Sequence, residues 1–195
     1  MKMRIIASSG WFLPLAFLTV ALFVFVAAPD ANGQRRDFMT DAEIELVRDA
    51  QDIDLRIDVL TKMIDRRFAA LRINAGGWTP PAKETEKWGE TPTGTRPELF
   101  RDIRRLLQKA VDDIDDVAEH DKNTLTQNKT TGKLFPKAVH NLSNAAARFT
   151  NVLKPLLNSS RDELERGSII ESIDLCEQII DAAARLPAEV KKAKS

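Results

Sequence analysis

The amino-acid sequence predicts an all-α fold, an up-down four-helix bundle with a long Gly/Pro/Trp loop between its first and second helices. Three observations carry this. Four segments place apolar residues three and four apart, the spacing that lines one face of a helix. No segment alternates apolar and polar residues as a half-buried strand would. The link Asn158-Ser159-Ser160 is so short that the helices it joins must run antiparallel.

Ahead of the bundle, Lys2 and Arg4 precede the uncharged apolar run Trp11 to Ala28, and Pro29 and Ala31-Asn32-Gly33 follow it. That order predicts a signal peptide over 1–33 with Gln34 as the new N-terminus; a cut after Ala28 is the second choice. An uncleaved anchor over 5–28 is the alternative, since about 20 apolar residues can span a bilayer. Either way the domain at 38–187 is expected outside the cytoplasm, in the periplasm, envelope or medium. The membrane is a partner only if the segment stays uncleaved.

The first helix opens at Thr40-Asp41-Ala42-Glu43, a capping box with Thr40 as N-cap and Glu43 at N3. Ile57, Leu60, Ile64, Phe68 and Leu71 continue its stripe, and Gln51 to Asp54 is a weak spot open to a kink or split. Residues 74–97 carry no period and are rich in Gly, Pro and Thr, which predicts a flexible loop. The second helix starts at a further capping box, Thr95 with Glu98, and has Pro97 in its first turn. It runs to about His120. A polar linker over 123–133 precedes a third helix from Pro136, where Pro155 should kink or end the helix. Ser160 and Glu163 form a third capping-box candidate before the last helix, which Pro187 closes. The basic tail occupies 188–195.

The stretches WGETPTGTRPELF (88–100), LFPKAVHNL (134–142) and SIDLCEQIIDAAARLP (172–187) follow the export segment in that order. In this they resemble a group of uncharacterised exported all-helical bacterial proteins of unknown function. The resemblance covers most of 38–187 and implies an exported helical domain. It transfers no catalytic residue.

Composition narrows the function classes. Loss of Lys2, Arg4 and Asp30 would take the chain from 29 basic and 29 acidic side chains to 27 and 28. No basic excess is left for a nucleic-acid partner. Cys176 is the one cysteine, so no intramolecular disulfide is expected, and its place in an apolar stripe reads as core. No Ser-His-Asp set, phosphate-binding loop or His-Glu-x-x-His helix is legible. No enzyme is expected, and no cofactor. Haem bound through Met39 or Met63 with a histidine is disfavoured, because His120 and His140 both fall on polar faces.

The densest group of metal-type ligands is VDDIDDVAEHDK, residues 111–122. On a helical wheel Asp112, Asp116 and Glu119 lie about 140° to 160° from the apolar centre at Ile114. Ligands of a bundle-core metal site project inward. Asp113, Asp116, Glu119 and His120 are therefore a solvated face first, and a loose divalent-cation or small-ligand patch only as the alternative function. The acids crowd the C-terminal half of the helix and Arg101, Arg104 and Arg105 its N-terminal half, against the helix dipole. Lys109 is spaced to reach Asp113, and Lys129, Lys133 and Lys137 are expected to pair with Asp116, Glu119 and Asp121. Trp78 and Trp88 in the loop are the better interaction residues, as anchors for an envelope protein or glycan partner or as a lid on the bundle. The expected function is thus non-enzymatic binding or scaffolding.

Overall fold

The computed structural model describes residues 36–120, 127–128 and 132–186. The expectations for the signal segment 1–33, Asp121, Lys129, the Lys133 side chain, Pro187 and the tail 188–195 lie outside the described residues. Among those described, the protein is all-helical. It has six helices where four were expected: α1 Asp41–Asp49, α2 Ile53–Ala70, α3 Thr85–Trp88, α4 Arg96–His120, α5 Leu134–Ser159 and α6 Glu163–Ala184. The extra two arise at places the sequence marks as irregular. The first segment divides at the Gln51 to Asp54 weak spot, and α3 is a single turn inside the loop.

Thr40 caps α1 as expected: Glu43 N–H donates to Thr40 Oγ1 at 3.3 Å, and Thr40 N–H donates to Glu43 Oε2 at 3.0 Å. At the break, Arg56 Nε donates to the Ala50 carbonyl, so a side chain of α2 holds the end of α1. The other end of α2 closes in a Schellman turn. Ile73 N–H donates to Phe68 O and Arg72 N–H to Ala69 O, with Arg72 left-handed at φ +59°. A non-glycine residue pays about 1–2 kcal/mol for that conformation.

One further boundary differs from expectation. The N-cap of α6 is Asp162, whose carboxylate accepts from Glu165 N–H at 2.9 Å, so the Ser160–Glu163 box is not the one used. Pro155 sits inside α5 without ending it. Pro155 and Asn151 both lie on the exposed side, where the carbonyl that loses its N–H partner can meet water. Between α4 and α5 a two-rung antiparallel ladder pairs Gln127 with Lys133 and Asn128 with Gly132.

Four long helices supply the core. α2 packs against α4 and α5, and α6 packs against the same two. Ile57, Leu60, Met63, Ile64 and Phe68 of α2 meet Phe100, Ile103, Leu106 and Leu107 of α4, Ala146 and Phe149 of α5, and Ile169 and Cys176 of α6 in one apolar cluster. The Phe68 and Phe149 rings stand 5.5 Å apart across it. Full burial of such side chains contributes roughly 1.5–3 kcal/mol each.

Candidate functional site

Directly above that core α2 carries Asp65, Arg66 and Arg67 in succession, and all three are buried. Arg67 lies within the apolar stripe, three residues after Ile64 and four before Leu71. A guanidinium there needs partners inside the protein, since an unpaired buried charge is very costly. Glu43 of α1, fully buried, supplies them. Arg67 grips it through both terminal nitrogens, one at 2.7 Å from Oε2, and donates to Phe38 O at 2.6 Å. Arg66 donates to the same carboxylate at 2.5 Å. Its other terminal nitrogen reaches Gly89 O at 3.3 Å and Glu90 O at 2.5 Å. Burial lowers the pKa of Arg66, and the neighbouring Arg67 charge adds to this, while the Glu43 carboxylate opposes it. The glutamate that completes the α1 cap thus also ties α1, α2 and the loop together.

Asp65 does the same for the other end of the loop. Its Oδ1 receives Arg148 of α5 at 2.6 Å, and its Oδ2 accepts Trp78 N–H at 2.8 Å. Arg148 also donates to Ala75 O at 3.0 Å. Gly77 lies so close that a Cβ there would fall inside the Asp65 carboxylate and the Arg148 guanidinium. Gly76, at φ +63°, makes the preceding turn, with its N–H on Asn74 Oδ1.

The segment between these two fastenings is a strap over the bundle. It contains the 3₁₀ turn Ala82–Glu84 and α3. Trp88 is only 4% exposed and belongs to the core cluster; Trp78 is half-buried. Their rings lie 4.7 Å apart and tilted by 48°. Lys62 Nζ stands 5.4 Å from the Trp78 ring centre, and the Arg66 guanidinium 5.5 Å from that of Trp88. Cation–π contacts of this kind contribute about 0.5–2 kcal/mol.

Two clefts flank Trp78 and share Asp65. One, of about 310 Å³, is lined by the loop from Arg72 to Thr79 and by Ala69. The other, of about 340 Å³, lies between α2 and α5 and is lined by Asp58, Thr61, Lys62, Asn141, Asn144 and Arg148.

The acidic segment behaves differently. Asp112, Asp116, Glu119 and His120 are exposed. Asp113 is the half-buried member, and Lys109 reaches it at 3.1 Å, the pairing expected from their spacing. Gln108 donates to Asp112, and His120 lies 3.2 Å from Asp116. Among the described residues no three His, Cys, Asp or Glu side chains are grouped to hold a metal ion, so Asp113, Asp116, Glu119 and His120 are not brought together as ligands. Lys137 departs from expectation: it pairs with buried Asp54 of α2 at 2.5 Å and not with the acidic end of α4. A buried carboxylate 5% exposed is the stronger claim on that lysine than solvated ones. Two arginines of α4 find carboxylates on α6 instead, Arg96 on Glu165 and Arg104 on Glu171.

Met63 is fully buried among apolar side chains, and His120 is remote from burial at 72% exposed. Cys176 is buried as expected. Burial pushes its thiol up to about 12, with the Thr150 hydroxyl opposing and Glu177 adding to the shift. Sequence reasoning picked out Trp78 and Trp88 but missed Asp65, Arg66 and Arg148, which fasten the strap that carries them, and Arg67, which shares Glu43 with Arg66. The available signal was Arg67, a charge at core phase.

No protein-family model matches the chain, and neither a curated protein nor a solved structure matches it.

Proposed function

We propose that this is an exported, non-enzymatic protein of the cell envelope, related to the helical group it resembles, that acts by binding or scaffolding. In this reading α2, α4, α5 and α6 form an up-down bundle that serves as a rigid frame, and the strap is its binding face. One observation carries the reading: buried charges hold Trp78 at a fixed place between two clefts. Buried ion pairs rarely stabilise a fold more than apolar residues of the same size would. Using Asp65, Arg66 and Glu43 to fasten a loop makes most sense where the loop's position matters. Ligand sites are commonly concave, preformed and built around an aromatic group with a few polar side chains.

Affinity capture from the native envelope tests it, comparing wild type with Trp78→Ala. Trp88 is left intact because its burial makes it part of the core. The expected result is a partner retained by wild type and lost by the variant. An unchanged set of partners would sink the assignment of the binding face to Trp78. N-terminal mass spectrometry of the exported protein checks the cut after Gly33.

A further inference from the structure

The cleft between α2 and α5 has a side-chain set that points to a ligand class. We infer that it is a binding site for a neutral carbohydrate, a mono- or disaccharide unit of a glycan, with Trp78 as its apolar wall. The inference rests on the binding reading above and names what that face would bind.

Four observations carry it. At about 340 Å³ the cleft sits near the lower end of the roughly 300–1,000 Å³ typical of small-molecule sites. Its charges are already matched in pairs: Lys62 with Asp58 at 2.6 Å, and Arg148 with Asp65 at 2.6 Å. An anion entering here would meet two carboxylates, and a cation would meet an ammonium and a guanidinium. A neutral ligand meets neither penalty. Hydroxyl groups suit such a lining because each both donates and accepts, so they can serve Asp58 and Lys62 at once.

The amides add direction. Asn141 and Asn144 lie three apart on α5, both exposed and both on the cleft wall. Neither side chain makes a hydrogen bond to another described residue. Each offers one acceptor and two donors, a match for neighbouring hydroxyls on a sugar ring. Trp78 completes the set. It is half-buried and lines the cleft, and Asp65 anchors its backbone N–H at 2.8 Å. The C–H face of a pyranose needs an apolar surface, while its hydroxyl rim needs the polar wall. The ligand's amphipathic shape and the cleft's agree.

The test titrates the mature domain with chitobiose and cellobiose, following tryptophan fluorescence and amide chemical shifts. Glucuronate and glucosamine serve as the charged probes. Saturable binding of a neutral disaccharide is expected, with shifts centred on Asn141, Asn144 and Trp78. Binding should weaken about tenfold in Asn141→Ala/Asn144→Ala, since two hydrogen bonds are lost. These exposed positions leave the core intact, so an unchanged Tm separates lost binding from lost folding. Absence of saturation by either disaccharide, a preference for glucuronate or glucosamine, or undiminished binding in the asparagine variant would overturn the inference. If Trp78-dependent capture persists while no neutral sugar saturates the cleft, the carbohydrate assignment falls and the binding reading stands. If both fail, both fall.

Discussion

Two short charged segments, 65–67 on α2 and 112–120 on α4, have opposite fates. The second has more charge, yet most of it faces water, and its pairs are local ones such as Lys109 with Asp113. The first has three charges, all buried, and its partners lie on α1, α5 and the strap. Phase relative to the apolar stripe separates them. Arg67 falls on the core side of its helix, so its charge demands a partner from elsewhere in the chain, and tertiary structure forms around that demand. Asp116 and Glu119 fall on the far side, where water satisfies them. Charge density is therefore a poor guide to a site, and charge at core phase a better one.

Glu43→Gln breaks the comparison most severely. It leaves Arg66 and Arg67 buried without their shared carboxylate and weakens the α1 cap. Breaking a buried pair by removing one partner costs about 3–5 kcal/mol, so the midpoint of urea unfolding should fall steeply. A loss below about 1 kcal/mol, the level of a surface pair, would mean that this network is solvated. Asp65→Ala should come next, at about 2 kcal/mol, because Arg148 is partly exposed and recovers some hydration. It also frees Trp78 N–H, so tryptophan emission should shift to longer wavelength as the strap loosens.

Gly77→Ala sharpens the same point through shape. The new methyl must displace the Asp65–Arg148 pair, a crowding that typically costs about 1–3 kcal/mol. Arg148→Ala should then relieve part of that penalty, and a double-mutant cycle on unfolding free energy measures the coupling. Additive effects would place the obstruction elsewhere. Cys176 offers a buried group of a different kind. Its folded pKa is raised to about 12 from 9.0 by burial, so the native state keeps a proton that the unfolded chain sheds. The associated stability is complete below pH 9 and declines as pH rises towards 12, by at most about 1.4 kcal/mol per pH unit. Wild type should thus lose stability over that window faster than Cys176→Ala, and its thiol should resist a disulfide reagent at pH 8 until the protein unfolds.

The long helices were legible because their stripes are long and strongly periodic, and the capping box at Thr40 and Glu43 marks its own position. The split at Ala50 was anticipated in Gln51 to Asp54, where the period lapses. Of the two outcomes expected at Pro155, a kink or an end, the end does not occur, because the carbonyl that loses its bond lies on the exposed side of α5. The strap was less legible. Gly, Pro and Thr from 74 to 97 forbid a long regular element, but its order comes from Asp65, Arg66 and Arg148, side chains 13 to 73 residues distant. Lys137 was misplaced for the same reason. Its partner Asp54 lies 83 residues away, whereas the nearer acids of α4 were the conspicuous ones.

Asp116→Asn/Glu119→Gln is the mildest change and tests the other half of the comparison. Both carboxylates lie in or next to the last turn of α4, where unpaired carbonyls already concentrate negative charge. Removing them relieves that repulsion. The loss of the exposed His120–Asp116 contact, with both partners more than 70% exposed, opposes the gain only slightly. The net expectation is a small rise in stability, at most about 1 kcal/mol at low ionic strength. Screening should erase it as salt approaches 1 M, where the Debye length falls to about 3 Å. A rise that survives salt would mean that charge repulsion at the helix end is not its cause. A fall in stability instead would show that these acids hold something together. Segment 112–120 would then belong with 65–67 as structural charge.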